Sequence, residues 1–154
     1  MKLTVVAVGR LKERFWKEAA DEYLKRLGPY ATVRVVEVAD RDSGRDAARA
    51  LAEEGADVVR AIPQGAHVIA LEIGGKQLSS EQFSARIDAL GLEGKSNIVF
   101  LVGGSVGIAK EALACAHEKL SLGPMTLPHN LARVVLLEQI YRAFRISRGE
   151  PYHK

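Results

Sequence analysis

Four short apolar stretches set the rhythm of the chain: residues 3–8 (LTVVAV), 33–38 (VRVVEV), 67–73 (HVIALEI) and 97–102 (NIVFLV). They are rich in β-branched residues and close on turn residues, so each reads as a strand, the first of them buried. Between them, apolar residues recur at three- and four-residue steps. In residues 10–27, Leu11, Phe15, Ala19, Tyr23 and Leu27 define one helical face before Gly28-Pro29 stops it, with Trp16 expected at the core edge rather than on a nucleic-acid base. An Ala-rich, charged helix opens at Asp42 or Ser43 and ends near Ile62-Pro63. Ser79, followed three residues later by Gln82, is the pattern of a capping box for a helix over 79–90 that Gly91 would end. After the fourth strand, a turn from Gly103 to Gly107 leads into a helix predicted over 108–120. Strands alternating with helices predict an α/β domain with a largely parallel sheet, whose ligands sit beyond the carboxyl ends of the strands.

The last third has a different texture. A loop of apolar residues broken by glycine and proline (LSLGPMTLPH, 120–129) precedes a long helix and a polar tail. Along that helix Leu131, Val134, Leu137, Tyr141 and Phe144 step by three or four, while Val135, Leu136, Ile140, Ala143 and Ile146 cover most of the remaining circumference. A helix apolar on nearly all sides is buried by more than one neighbour, which predicts packing on the sheet and on a second subunit. Arg142, Arg145 and Arg148 follow at steps of three as one basic ridge.

Charge sharpens this division. The chain has 22 basic and 19 acidic residues, and residues 129–154 hold five of the former and two of the latter, so the whole surplus of +3 falls there. A basic segment on a neutral body points to a polyanionic partner. Length (154 residues) and an apolar share of 47% fit one domain over 1–154 with a sufficient core. The single Cys115 excludes an internal disulfide and reads as a small core residue. The apolar run at the amino terminus is too short for a signal peptide or a span, so a cytoplasmic location and no membrane contact are expected.

Several chemistries lack their signatures. No GxGxxG follows the first strand, and neither GxxxxGK[ST] nor HExxH occurs. No two of His67, His117, His129 and His153 have helical metal-ligand spacing, so no metal is expected. What remains is the glycine turn at 103–107, the Gly74-Gly75 pair, and the loop with Leu122, Met125 and Leu127. Apolar side chains in such a loop predict that it lines a pocket or an interface, and an apolar wall with converging backbone groups suits a planar, purine-sized cofactor.

The segments KLTVVAVG, IALEIGGKQLSS, FLVGGSVG and LSLGPMTLPHNLARVVLLEQIYRAFRISRGEPYHK together resemble the RlmH family of SPOUT methyltransferases from end to end. The resemblance implies S-adenosylmethionine-dependent methylation of N3 of a pseudouridine in 23S rRNA of assembled ribosomes, by a homodimer. It also implies a C-terminal deep trefoil knot, which general rules of chain connection disfavour. Carried over, the cofactor site would comprise Leu71, Gly103, Gly104, Leu122, Gly123, Pro124, Met125, Thr126 and Leu127, with the two strand-end glycines leaving room for the cofactor. Removal of the N3 proton would fall to His153 or to Glu138, with Tyr152 orienting the base, while Arg142, Arg145, Arg148 and Lys154 would contact RNA. The competing reading is a non-catalytic RNA-binding or ribosome-associated dimer of the same fold.

Overall fold

A computed structural model describes residues 1–41 and 46–152. In chain order the elements are β1 (Lys2–Val8), α1 (Arg14–Leu27), β2 (Thr32–Val38), α2 (Ala47–Ala61), β3 (His67–Gln77), α3 (Ser80–Leu92), β4 (Asn97–Val102), α4 (Lys110–Leu113), β5 (Glu118–Ser121) and α5 (His129–Ser147). The five strands form one parallel sheet in the order β2-β1-β4-β3-β5. The α/β reading with a mostly parallel sheet therefore holds. The central strands show why: Leu3, Val5, Ala7, Ile98, Phe100 and Val102 enter the core beneath α1, α3 and α5, while Val6, Val8, Val99 and Leu101 enter a second core beneath α2 and α4. Alternate residues serve opposite faces, so strands covered on both sides must be apolar throughout. Among the described residues no helix is long and apolar enough to cross a membrane.

Local chemistry explains most boundaries. The capping box forms as expected: Ser79 Oγ accepts from Gln82 N at 3.1 Å and Gln82 Oε1 accepts from Ser79 N at 2.8 Å. Gly91 does not end α3, which continues to Leu92. Asp42 and Ser43 lie outside the described residues; Asp46 caps α2 by accepting from Arg49 N at 2.9 Å. Helix α1 begins at Arg14, four residues later than expected, and its buried positions are Ala20 and Leu27. Phe15 was expected on the buried face but is 62% exposed, because it lies on the first turn, beyond the reach of the core. Cys115 is half-buried rather than a core residue.

The helix expected over 108–120 is the largest departure. Only a single helical turn forms, and the chain then becomes the edge strand β5 beside β3, with Ile69 opposite Glu118 and Leu71 opposite Leu120. Tertiary pairing overrides local helix propensity here. His117 N donates to Val68 O at 2.8 Å and His117 Nδ1 accepts from Val68 N at 2.9 Å, so the ring carries no proton on Nδ1. Glu118 accepts from Arg86 Nε at 3.0 Å and lies 2.7 Å from His67 Nε2, which clamps β5 to β3 and α3. The β3 chain then loops away, and Lys76 returns opposite the same Leu120. Gly75 passes so close that a Cβ there would lie 2.7 Å from the Lys119 carbonyl carbon.

Helix α5 is covered by α1 and α3 as well as by the sheet. Packing within one chain, on α1 and α3 as well as on the sheet, thus accounts for much of its all-round apolar character, which the sequence reading divided between the sheet and a second subunit.

Candidate active site

The carboxyl ends of β3, β4 and β5 surround a cleft of about 840 Å3. Its walls come from Leu71–Ile73 within β3, where the pairing with β5 is interrupted, from 102–108 at the end of β4, from Leu113 and Leu120, from the loop after β5 and from the first turn of α5 at His129 and Ala132. Ile73, Val106 and Met125 stand at its mouth with most of their apolar surface open, Met125 at 81%. Three exposed large apolar side chains converging on one opening mark a place that something apolar covers. The volume lies in the range of small-molecule sites, and the lining is mainly aliphatic with a few polar groups, Glu72, Ser105, Thr126 and His129.

The glycine turn has a tighter cause than room for a ligand. A Cβ on Gly103 would stand 2.6 Å from the Gly107 carbonyl carbon, and one on Gly104 would stand 3.1 Å from Val8 Cγ1. Gly107, at φ +85°, donates its N–H to the Gly104 carbonyl at 3.1 Å and closes the turn on itself. These two glycines let the protein's own backbone pack, which gives the cleft its wall. The second loop is fixed in a similar way: Ser121 Oγ accepts from Gly123 N at 3.1 Å and donates to Gly123 O at 3.0 Å, with Gly123 at φ +126°. Pro128 precedes α5 without a side-chain cap, so the positive end of that helix opens beside the cleft.

The profile of the family described as "Predicted SPOUT methyltransferase" matches residues 1–153. The chain belongs to the SPOUT methyltransferases. Within that family it is 49% identical to the ribosomal RNA large subunit methyltransferase H of Listeria monocytogenes and 50% identical to that of Carboxydothermus hydrogenoformans, each alignment covering 100% of both chains. Solved structures carry the fold at lower identity. A probable methylase family protein from Haemophilus influenzae superposes with a TM-score of 0.61 at 15% identity, covering 96% of this chain and 66% of that one. TrmJ from Z. mobilis superposes at 0.55 and 18%, covering 100% and 73%.

In this SPOUT chain, Leu71, Gly103, Gly104, Leu122, Gly123, Met125, Thr126 and Leu127 all border the cleft, whereas Pro124 is exposed next to it and does not. Sequence reading missed Glu72, Ile73, Ile108, Leu113 and Ala132. For Glu72, Ile73 and Ile108 the available signal was adjacency to a residue or turn already singled out, whereas Leu113 and Ala132 carried no such signal. His129 also borders the cleft.

Two of the three residues expected to be catalytic, Glu138 and Tyr152, gather elsewhere in the chain. Glu138 lies nine residues along α5 from His129, about 13 Å at the helical rise. It accepts from Arg142 Nε at 2.9 Å, from Gln139 Nε2 at 2.6 Å and from the Tyr152 hydroxyl at 3.1 Å. Tyr152 also packs edge-on against Tyr141 at 4.9 Å, and the Arg142 guanidinium lies 4.7 Å from its ring centre. Burial first, and then hydrogen bonding to Tyr23 and Glu138, pushes the Tyr152 phenol up to about 12. His153 and Lys154 lie outside the described residues.

The expected basic ridge is largely engaged within the chain. Arg142 is held by Glu138. Arg145 donates to the Glu150 carboxylate, to Tyr30 Oη at 2.9 Å and to the Pro151 carbonyl at 3.0 Å. Arg148 is exposed and lies 4.6 Å from the Tyr30 ring centre. Two of the three arginines thus fold the tail back onto α5 instead of standing open as one ridge.

Proposed function

We propose that this chain methylates N3 of a pseudouridine in 23S rRNA of assembled ribosomes, drawing the methyl group from S-adenosylmethionine, and that it does so as a cytoplasmic homodimer. The observation that carries the reading is the cleft itself, with aliphatic walls and an uncapped helix end at the carboxyl edge of the sheet. The residues fit such a donor. Leu71, Leu122 and Leu127 would cover the purine, the amino end of α5 would face a carboxylate, and Glu72 supplies negative charge for a cationic donor. When bound, that donor supplies an electrophilic methyl carbon whose bond to sulfur breaks as its bond to nitrogen forms.

The chain must then align the acceptor and remove the imide proton. His153 is our choice for the base, since histidine is the residue type whose ordinary range suits proton removal near neutral pH. Glu138 already accepts from three side chains, so it serves better as the holder of Tyr152 and Arg142. Because Tyr152 is docked well along α5, the cleft of one protomer lacks the tail that the chemistry needs. A second copy would supply it, which is the role we give the dimer. The knot expected of the family belongs to the same proposal. Its support is the path by which β3 loops away after Leu71 and returns against β5, just before the chain turns back into α5.

Labelled methyl transfer to ribosomes tests the reading. Label should enter pseudouridylated ribosomes and neither free rRNA nor ribosomes lacking the pseudouridine. Label in another RNA would overturn the acceptor, and no transfer despite donor binding would overturn the reaction.

A further inference from the structure

A second cleft, of about 500 Å3, reaches α5 at Arg133. Arg10, Lys12 and Lys17 stand on its walls together with Asp21, and Glu37 and Arg133 help to form it. Arg133 is only 3% exposed; one terminal nitrogen donates to Glu37 Oε2 at 2.6 Å, the other to the Gly9 carbonyl at 2.9 Å, and its buried Nε has no partner. Gly9, at φ +89°, also donates its N–H to the Val38 carbonyl at 2.8 Å. The turn that launches Arg10 is therefore held from two sides, and the basic segment after it leaves the sheet in a defined direction.

That segment, residues 10–17, carries four basic residues against Glu13 alone. Arg14 is tied to Glu18 at 2.6 Å, whereas no ion pair among the described residues engages Arg10, Lys12 or Lys17. Phe15, between Lys12 and Lys17 in sequence, is 62% exposed, with its ring 5.0 Å from that of the half-buried Trp16. Exposed cations and exposed aromatic side chains are the means by which proteins hold single-stranded nucleic acid. The position agrees with that use. Ala132 borders the first cleft and Arg133 the second, and these consecutive residues on α5 have Cα atoms about 3.8 Å apart. Both clefts therefore reach α5 at neighbouring residues. A symmetric contact with a second copy through this segment would set its unpaired cations against themselves.

We propose that residues 10–17 and the cleft beside Arg133 form a second RNA contact, in which Phe15 stacks on an unpaired base near the acceptor nucleotide while Arg10, Lys12 and Lys17 neutralise its phosphates. This rests on the reading of the chain as an RNA methyltransferase. It is tested with Phe15→Ala and with a Lys12→Gln/Lys17→Gln double variant. The measurements are anisotropy on a labelled single-stranded RNA loop oligonucleotide across a salt series, donor binding, and KM for ribosomes. Phe15→Ala should weaken oligonucleotide binding roughly 10-fold and raise KM for ribosomes. The lysine variant should flatten the slope of log affinity against log salt by about 1.4, at ~0.7 per single-strand phosphate. Donor affinity should stay at the wild-type value in both. Wild-type oligonucleotide affinity in both variants would overturn the proposal. So would conversion of Phe15→Ala to monomers in light scattering, which would assign the face to a second copy. Because the oligonucleotide assay needs no turnover, failure of wild-type protein to methylate ribosomes while it still binds this RNA would remove the methylation reading and leave the contact standing.

Discussion

At Gly103 a single added methyl group meets backbone 2.6 Å away, and backbone cannot swing aside as a long side chain can. Gly103→Ala should therefore displace the turn that walls the cleft, at a cost of about 1–3 kcal/mol, and weaken methyl-donor binding at least 10-fold by calorimetry. Gly74 has nothing within 4 Å of its missing Cβ, so Gly74→Ala should bind the donor like wild type. Equal losses in the two variants would show that the turn does not shape the site. Tyr152 makes a different statement. Its phenol, raised to about 12 by burial first and then by Tyr23 and Glu138, stays protonated through any ordinary assay range. It thus donates to Glu138 and does not act as a base. The folded state holds this proton more tightly than the unfolded chain, so the contribution to stability is complete below pH ~10 and fades as pH rises towards 12. Tyr152→Phe should flatten that alkaline loss in urea unfolding and leave the neutral pH–rate limb in place; disappearance of the limb would make Tyr152 the titrating group.

Among the elements, β5 decides the most, because the cleft loop starts where it ends. Burial pushes the Glu118 carboxyl up, but hydrogen bonds from Arg86 and then His67 outweigh it, and the net shift is downward from 4.5. A depressed carboxyl stabilises the fold above its unfolded value and loses that contribution as pH falls through its folded value. Between pH 7 and pH 3, wild type should lose more stability than Glu118→Gln in chemical unfolding, and its donor affinity should fall along with it. Parallel acid profiles for the two proteins would mean that the clamp does not hold β5. This strand is also where sequence reading failed. Lys110 to Leu120 has helical composition, and its partners, Val68, His67 and Arg86, are more than thirty residues away in sequence, so no local pattern could announce them. Strands β1 and β4 were legible because apolar runs with alternate residues serving opposite faces are a local signal. The loop at 122–127 was legible because exposed leucine and methionine need a reason. Phe15 was misread on the assumption that a helical face is buried along its whole length.

For the molecule as a whole, the decisive fact is distance within one chain. The cleft lies at the first turn of α5, while Tyr152 is fastened to Glu138 about 13 Å further along the helix axis. If the tail acts across the dimer, two damaged protomers can repair each other. A Gly103→Ala protomer has a poor donor cleft but an intact tail; a His153→Ala protomer has an intact cleft but no base. Each homodimer should be nearly inactive on ribosomes. A mixture, unfolded and refolded together at equal concentration, should form one-half heterodimer, in which one cleft is intact and faces an intact tail. Activity of that mixture should reach about one quarter of wild type, counting productive clefts, against little above background when the two proteins are mixed without exchange. A mixture that stays inactive, although heterodimers are demonstrated by mass, would place cleft and tail in the same protomer. The tail would then have to leave Glu138 and cross to its own cleft during turnover. Glu138→Gln, which weakens the Arg142 and Tyr152 contacts, separates the two routes further. Loosening the anchor should lower activity where the partner's tail needs that anchor, and should raise it where the tail must first detach.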